Sequence, residues 1–233
     1  MISTCPALTT SLPITLFTDR RGYGRNAKRT TLIDLATCLA KTPARSKAEQ
    51  PHFKMGRFGK VKSDKGSYRT NKNFLAVTGI EVDYDAGTVT PDQAAEAFAA
   101  ANVAALVVTS ASHGQPDKGN RWRAVCPLSA DLTPEERAAL VARINGILGG
   151  ILGAESFTAV QSFGYGHVGG RTKPLVRLIE GRFLDECGDL DAGAIGKPSK
   201  TDFGDPQPAV DQSEDLAAVA YARCHPVGRD RAR

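Results

Sequence analysis

The chain has 233 residues, of which 41% are hydrophobic, 24% charged and 6% aromatic, with a formal net charge of +5. That composition can fill the core of one substantial domain or two small ones, and no apolar run approaches the roughly 18–20 residues that a membrane-spanning helix needs. The charge is uneven: residues 1–73 carry 15 Lys/Arg against 4 Asp/Glu, and the remainder is net acidic, so the amino-terminal third is the region suited to meet phosphates.

In chain order, the start lacks the positively charged opening of a secretory leader, its first basic residue being Arg20, and a cytoplasmic location is expected. Leu12 to Phe17 reads as a short strand, followed by a basic loop through Arg29. Thr30 or Thr31 caps a helix with the apolar stripe Leu32, Leu35, Ala36 and Leu39. Lys54, Arg57, Lys60, Lys62, Lys65, Arg69 and Lys72 then alternate with Phe58 and Tyr68. Cations and rings in that mixture suit an unpaired nucleic-acid strand, the rings stacking on bases. A solvated loop is the plainer reading.

The stretch FLAVTGIEVDYD (Phe74–Asp85) is an apolar strand that ends in two aspartates. Thr90-Pro91-Asp92 opens a helix, with a capping threonine and proline at the first helical position, and Val103 to Thr109 is a buried strand. Strand, helix, strand is a βαβ unit, which brings Asp83 and Asp85 to the same rim as Ser110 to His113. Arg121 to Leu128 is a further strand with Arg121 and Arg123 on one face and Trp122 on the other. Thr133-Pro134-Glu135-Glu136 begins a helix reaching about Leu148, and Gly149 to Gly153 breaks it. Ser156 to His167 and Leu175 to Glu180 supply later strands. From Asp189 the composition becomes that of a linker and flexible tail, helical only at Glu214 to Arg223. The predicted organisation is one domain over residues 1–188, with a basic amino-terminal region (residues 1–73) and a site-bearing region (residues 74–188), followed by the tail at residues 189–233. Cys5, Cys38, Cys126, Cys187 and Cys224 form no C-x-x-C pair, which leaves reduced thiols as the expectation.

Side chains at i and i+2 of a strand share a face, so Asp83 and Asp85 lie about 6–7 Å apart at Cβ, with Glu81 in register behind them. Two carboxylates so placed can clamp Mg²⁺ or Mn²⁺, although a strand end running into a turn at Ala86-Gly87 explains the same letters. His113, the amides around Gly114, and Arg121 and Arg123 supply partners for a triphosphate, guanidinium matching phosphate two-pronged. The three pieces fall in order: D-x-D at one strand end, S-x-S-H-G after the next strand, and R-W-R opening the one after.

That order resembles the archaeo-eukaryotic primase superfamily, the primase-polymerases, and especially the primase domains carried by phages and plasmids. GIEVDYD, TSASHG and RWRAVCPLS carry the likeness, ESFTAVQSFGYG is similar to the segment that follows them, and the whole spans roughly residues 10–185. The resemblance implies an α/β (α+β) catalytic core with an RRM-like sheet beside a smaller basic amino-terminal αβ region. It implies a DNA primase or polymerase, a nucleotidyltransferase using Mg²⁺ or Mn²⁺ and nucleoside triphosphates to make or extend primers on a single-stranded DNA template in phage or plasmid replication. Asp83 and Asp85 would be metal ligands, Ser110, Ser112, His113, Arg121 and Arg123 nucleotide contacts, and Lys54, Arg57, Lys60, Lys62, Arg69 and Lys72 the template grip. The chain departs from the pattern where a third acid is usual: it reads Phe157-Thr158-Ala159-Val160-Gln161, and Glu155 is the nearest carboxylate. GAIGKPSK at Gly193 to Lys200 fails the P-loop spacing, so any helicase partner would act in trans. Without an H-x-H pair, a nicking replication protein is disfavoured. A catalytically degenerate primase fold that binds single-stranded nucleic acid is the non-enzymatic alternative.

Overall fold

The structure is a computed structural model that describes residues 4–169 and 173–198. Its elements run α1 (Pro6–Thr9), β1 (Leu12–Phe17), β2 (Arg25–Thr30), α2 (Leu32–Lys41), β3 (Pro43–Ala44), β4 (His52–Lys54) and β5 (Gly56–Phe58). They continue with β6 (Phe74–Gly87), α3 (Pro91–Ala100), β7 (Ala105–Thr109), β8 (Asn120–Leu132), α4 (Arg137–Ile147), β9 (Phe163–Gly164), β10 (His167–Val168) and β11 (Val176–Ile179). The helix starts follow from capping: the Thr31 hydroxyl accepts from Asp34 N–H, and Thr90 and Gln93 form a reciprocal capping box ahead of Pro91.

A five-stranded sheet in the order β11-β7-β8-β6-β5 is the frame of the molecule. β8 pairs antiparallel with both β6 and β7, so β6 and β7 run parallel with β8 between them. This is a split β-α-β unit followed by β8 and α4, the mixed α/β class expected, and the ends of β6 and β7 do meet at one rim. A four-stranded sheet, β2-β1-β4-β9, packs against the larger one.

The two faces of the large sheet have different cores. Ile80, Val82, Tyr84, Val107, Trp122 and Ala124 face α3 and α4, while Leu106, Val108 and Val125 face α2 and β4 through Leu35, Leu39, Phe53 and Met55. Each buried Val, Leu, Ile, Phe or Met among them contributes about 1.5–3 kcal/mol. Alternation decides which side chains go where: in β6 and β8, the aromatics of D-Y-D and R-W-R enter the helix-side core, and the charges turn to the other face.

Four expectations need correction. The basic loop before Arg29 closes into β2, which pairs residue for residue with β1 and keeps its charges on an exposed outer edge. Ser156 to His167 is not a strand; Ala154–Phe157 is a 3₁₀ turn that points Ser156 inward, and only the two-residue β9 and β10 follow. The helix after Thr133 starts at Arg137: residues 134–136 form a turn closed by Glu136 N–H to Thr133 O, with the Glu136 carboxylate accepting the Thr133 N–H and hydroxyl. Packing also continues past Asp189: Gly188–Gly193 is a 3₁₀ segment with Leu190 buried, fastened by Arg182–Asp189 and Arg143–Asp191 ion pairs. The helix expected at Glu214 to Arg223, and Cys224, lie outside the described residues; Cys38, Cys126 and Cys187 are free thiols, and Cys5 Sγ donates to Gly181 O at 3.4 Å.

Candidate functional site

The rim is built by register. Asp83 lies opposite Arg123 across the β6–β8 pair, and Arg123 lies opposite Val108 of β7. On the face toward the smaller sheet, Asp83 Oδ1 accepts from Arg123 Nε at 3.0 Å, and Asp85 pairs with Arg121 at 2.7 Å. Both ends of the D-x-D therefore have a guanidinium beside them. Asp85 is the open one, with its side chain 48% exposed against 15% for Asp83. Burial raises the pKa of Asp83, Arg123 pulls it back, and the charges of Asp85 and Glu155 push it further up.

Behind the pair, the other face is stiff. The Tyr84 and Trp122 rings stack at 4.8 Å, Trp122 Nε1 donates to Val89 O, and the Tyr84 hydroxyl takes the Thr88 and Val89 N–H groups. Beneath the pair, along the edge of β6 that no described strand covers there, Asp83 N–H donates to Ser156 Oγ. Arg137 donates to the carbonyls of Ser156 and Glu81 at 2.7 and 2.9 Å. The Glu81 carboxylate in turn meets Lys54 Nζ at 2.5 Å and the Met55 N–H. Lys54, Glu81 and Arg137 thus form a buried charged network under the aspartates, and burial, with the charge of Arg137, holds the Lys54 ammonium down to about 7.

Ser110 and His113 reach the same rim. Ser110 N–H donates to Arg121 O, and His113 N–H to Ser110 O. His113 Nδ1 accepts the Arg121 N–H at 3.1 Å, which places the proton of the neutral ring on Nε2, a donor suited to a phosphate oxygen. His113, Ser110 and Lys173 line a cleft of about 490 Å³. Ser112 lies one step out, its hydroxyl bonded by Lys47 Nζ at 3.3 Å.

The other nominated residues are elsewhere. Glu155 is exposed and folds its carboxylate back over Gly153; it acts on Asp83 through charge alone. Among the described residues no three His, Cys, Asp or Glu side chains are grouped to hold a metal ion. Lys54 cannot grip a template, because it is fully buried against Glu81. Phe58 is a core ring, Arg57 pairs with Asp131, and Arg69 is an internal strut to Val160 O and Arg20 O. Lys60, Lys62 and Lys72 remain exposed, with Lys62 lying over the Tyr68 ring.

Sequence reading missed a cleft of about 730 Å³ between the β1–β2 turn and Arg123. Arg20, Arg21, Tyr23, Lys47, His52 and Ser162 line it. The Arg20-Arg21 doublet was the available signal, and only the folding of β2 back along β1 brings it here. His52 sits in the wall with Nδ1 bonded to Ser162 O at 3.2 Å, and burial lowers its pKa to about 4. A histidine free to titrate near 6.5 when unfolded but held neutral when folded takes up its proton only in the unfolded chain as pH falls. Stability is therefore expected to decline from about pH 6.5 toward 4, and thermal melts of His52→Asn should show that acid limb flattened.

No family model matches the sequence, and no curated protein matches it. Among solved structures, the AEP domain of the cyanophage S-2L primase-polymerase superposes with a TM-score of 0.45 at 9% identity, over 78% of this chain and 89% of that one. No helix among the described residues is long and apolar enough to cross a membrane.

Proposed function

We propose that the chain is a metal-dependent nucleotidyltransferase of the primase-polymerase kind, acting on single-stranded DNA with nucleoside triphosphates. One observation carries the reading: two carboxylates and two guanidiniums share one face of the β6–β8 pair, and one of the guanidiniums, Arg123, lines a cleft together with Arg20, Arg21 and Lys47. Acid and base so interleaved suit a substrate that is itself a metal–polyphosphate complex.

The donor set fits Mg²⁺ or Mn²⁺ delivered with substrate. Mg²⁺ is ordinarily held by one or two carboxylates together with phosphate oxygens and water, with no need of an all-protein cage, and Asp83 and Asp85 supply the two. When bound, such an ion neutralises charge on the phosphates and activates the attacking hydroxyl. Arg121 and Arg123 would orient the phosphates beside the aspartates, and His113 Nε2–H would donate to a phosphate oxygen. Tyr84, Trp122 and Ser156 keep the strand end in place while this happens. Template-dependent incorporation of labelled nucleotides with Mg²⁺ or Mn²⁺, lost on chelation, tests the reading; no incorporation with either ion on any single-stranded template would overturn it.

A second reading is favoured by Thr158 standing where a third acid is usual and by Glu155 turned away: a degenerate primase fold that binds single strands without catalysis. Calorimetric titration of a nucleoside triphosphate with and without Mn²⁺ separates the two. The enzyme is expected to bind the nucleotide at least about tenfold more tightly with the ion, the gain that even 1.4 kcal/mol of metal bridging provides. The binding module should show no difference.

A further inference from the structure

The β1–β2 turn is anchored in a way its own sequence does not require. Asp19 Oδ1 accepts the Arg21 and Gly22 N–H groups at 2.7 and 2.9 Å. The next three carbonyls are each taken by one short segment: Arg20 O by the Arg69 guanidinium, Arg21 O by the Ser67 hydroxyl, and Gly22 O by the Tyr68 N–H. Gly22 has φ +73°, and a Cβ there would lie 2.7 Å from Arg69 Cβ. Residues 67–69 and the turn are thus in direct contact, and Arg69 carries the brace on to Val160 O. The backbone of the turn is fixed, yet its side chains are given to solvent: Arg20 and Arg21 are exposed, and Tyr23 is 45% exposed.

An exposed tyrosine on a rigid turn, walled by cations, is a stacking surface. Arg21 lies 5.9 Å from the Tyr23 ring centre. Arg25 and Lys62 lie 5.5 and 5.0 Å from the ring of Tyr68, whose N–H holds Gly22 O, so a second, partly buried ring beside the turn also carries cations. Inward, the same turn walls the large cleft that ends at Arg123, the partner of Asp83. A mononucleotide would need only the inner end; a track of this kind matches a polymer of flat bases joined by phosphates.

We propose that the β1–β2 turn is the platform over which single-stranded nucleic acid enters the cleft, a base stacking on Tyr23 while Arg20, Arg21 and Lys47 take the flanking phosphates. The inference deepens the proposed function and rests on it for the class of ligand. It moves the strand contact from the 54–72 stretch, where Lys54, Phe58 and Arg69 have internal partners, to a turn that the stretch braces.

The test is fluorescence anisotropy of a labelled oligothymidylate on the full chain, without nucleotide or divalent ion. Tyr23→Ala should weaken binding roughly tenfold to a hundredfold, the usual loss for one stacked base, and Tyr23→Phe should bind like the parent. Arg20→Ala and Arg21→Ala should each lower the slope of log affinity against log salt by about 0.7, one phosphate contact on a single strand. Equal binding of Tyr23→Ala and parent, of an abasic oligomer and oligothymidylate, or of duplex and single strand would overturn the proposal, as would binding of thymidine triphosphate but not of the oligomer. Because the measurement needs no catalysis, Tyr23-dependent binding in a chain that incorporates no nucleotide would retain the platform and sink the polymerase reading alone.

Discussion

Asp83→Asn is expected to reduce nucleotide incorporation by at least about a thousandfold, since an ion held there supplies several kcal/mol of charge stabilisation and each 1.4 kcal/mol or so is a factor of ten in rate. The amide keeps the shape of the side chain and can still accept from Arg123 Nε, so the strand end should hold its register against β8. The loss should therefore appear in turnover, with the folded fraction and the oligonucleotide affinity near those of the parent. Asp85→Asn, at the more exposed position, serves as the companion. Retained incorporation in both variants would show that the D-x-D is a strand end and nothing more. Single-turnover kinetics alongside a thermal melt make the distinction.

The largest effect on stability is expected from Glu81→Gln. It removes the negative charge from between Lys54 and Arg137, all three groups being almost completely buried, and stripping one partner from a buried ion pair typically costs about 3–5 kcal/mol. For a domain of this size that is roughly a 10 °C drop in melting temperature, at about 2–4 °C per kcal/mol. Lys54→Met should be far milder, because it removes a charge and leaves Glu81 with Arg137. The two variants also differ in pH dependence. With its folded-state pKa near 7 against about 10.4 in the unfolded chain, Lys54 binds its proton more tightly when unfolded, so parent stability rises with pH from about 7 toward 10. That rising limb should vanish in Lys54→Met. Urea titrations at several pH values would read it directly.

What was legible in the sequence was what rests on neighbours. Helix caps at Thr31 and Thr90 and the strand from Phe74 are set within a few residues. The alternation of D-Y-D and R-W-R was enough to put two acids and two arginines on one face, because β6 and β8 carry the same period. Long-range pairing was not legible. Lys54 reads as one more cation in a basic run until Glu81 and Arg137 are brought to it by two different packing events. β2 has no apolar face to announce it, since an edge strand over solvent needs none. The stretch after Gly153 looks extended by composition, but Ser156 is drawn inward by an unpaired N–H on β6, a demand that exists only once the sheet has formed. The turn at Arg20 to Tyr23 is silent in the sequence for the same reason: its cleft is made by regions of the chain more than a hundred residues apart.

Lys54 enters from β4, in the smaller sheet, and Glu81 stands on β6, in the larger. Separating the two layers would drag the Lys54 ammonium away from its carboxylate and leave it without a counter-charge in an apolar seam with Phe53 and Met55, while Glu81 kept Arg137. The two layers are therefore joined by a buried charge pair as well as by apolar packing, and on the proposed reading the walls of the cleft are expected to keep their spacing, so that adjustment to a bound strand falls to the exposed side chains Arg20, Arg21 and Tyr23.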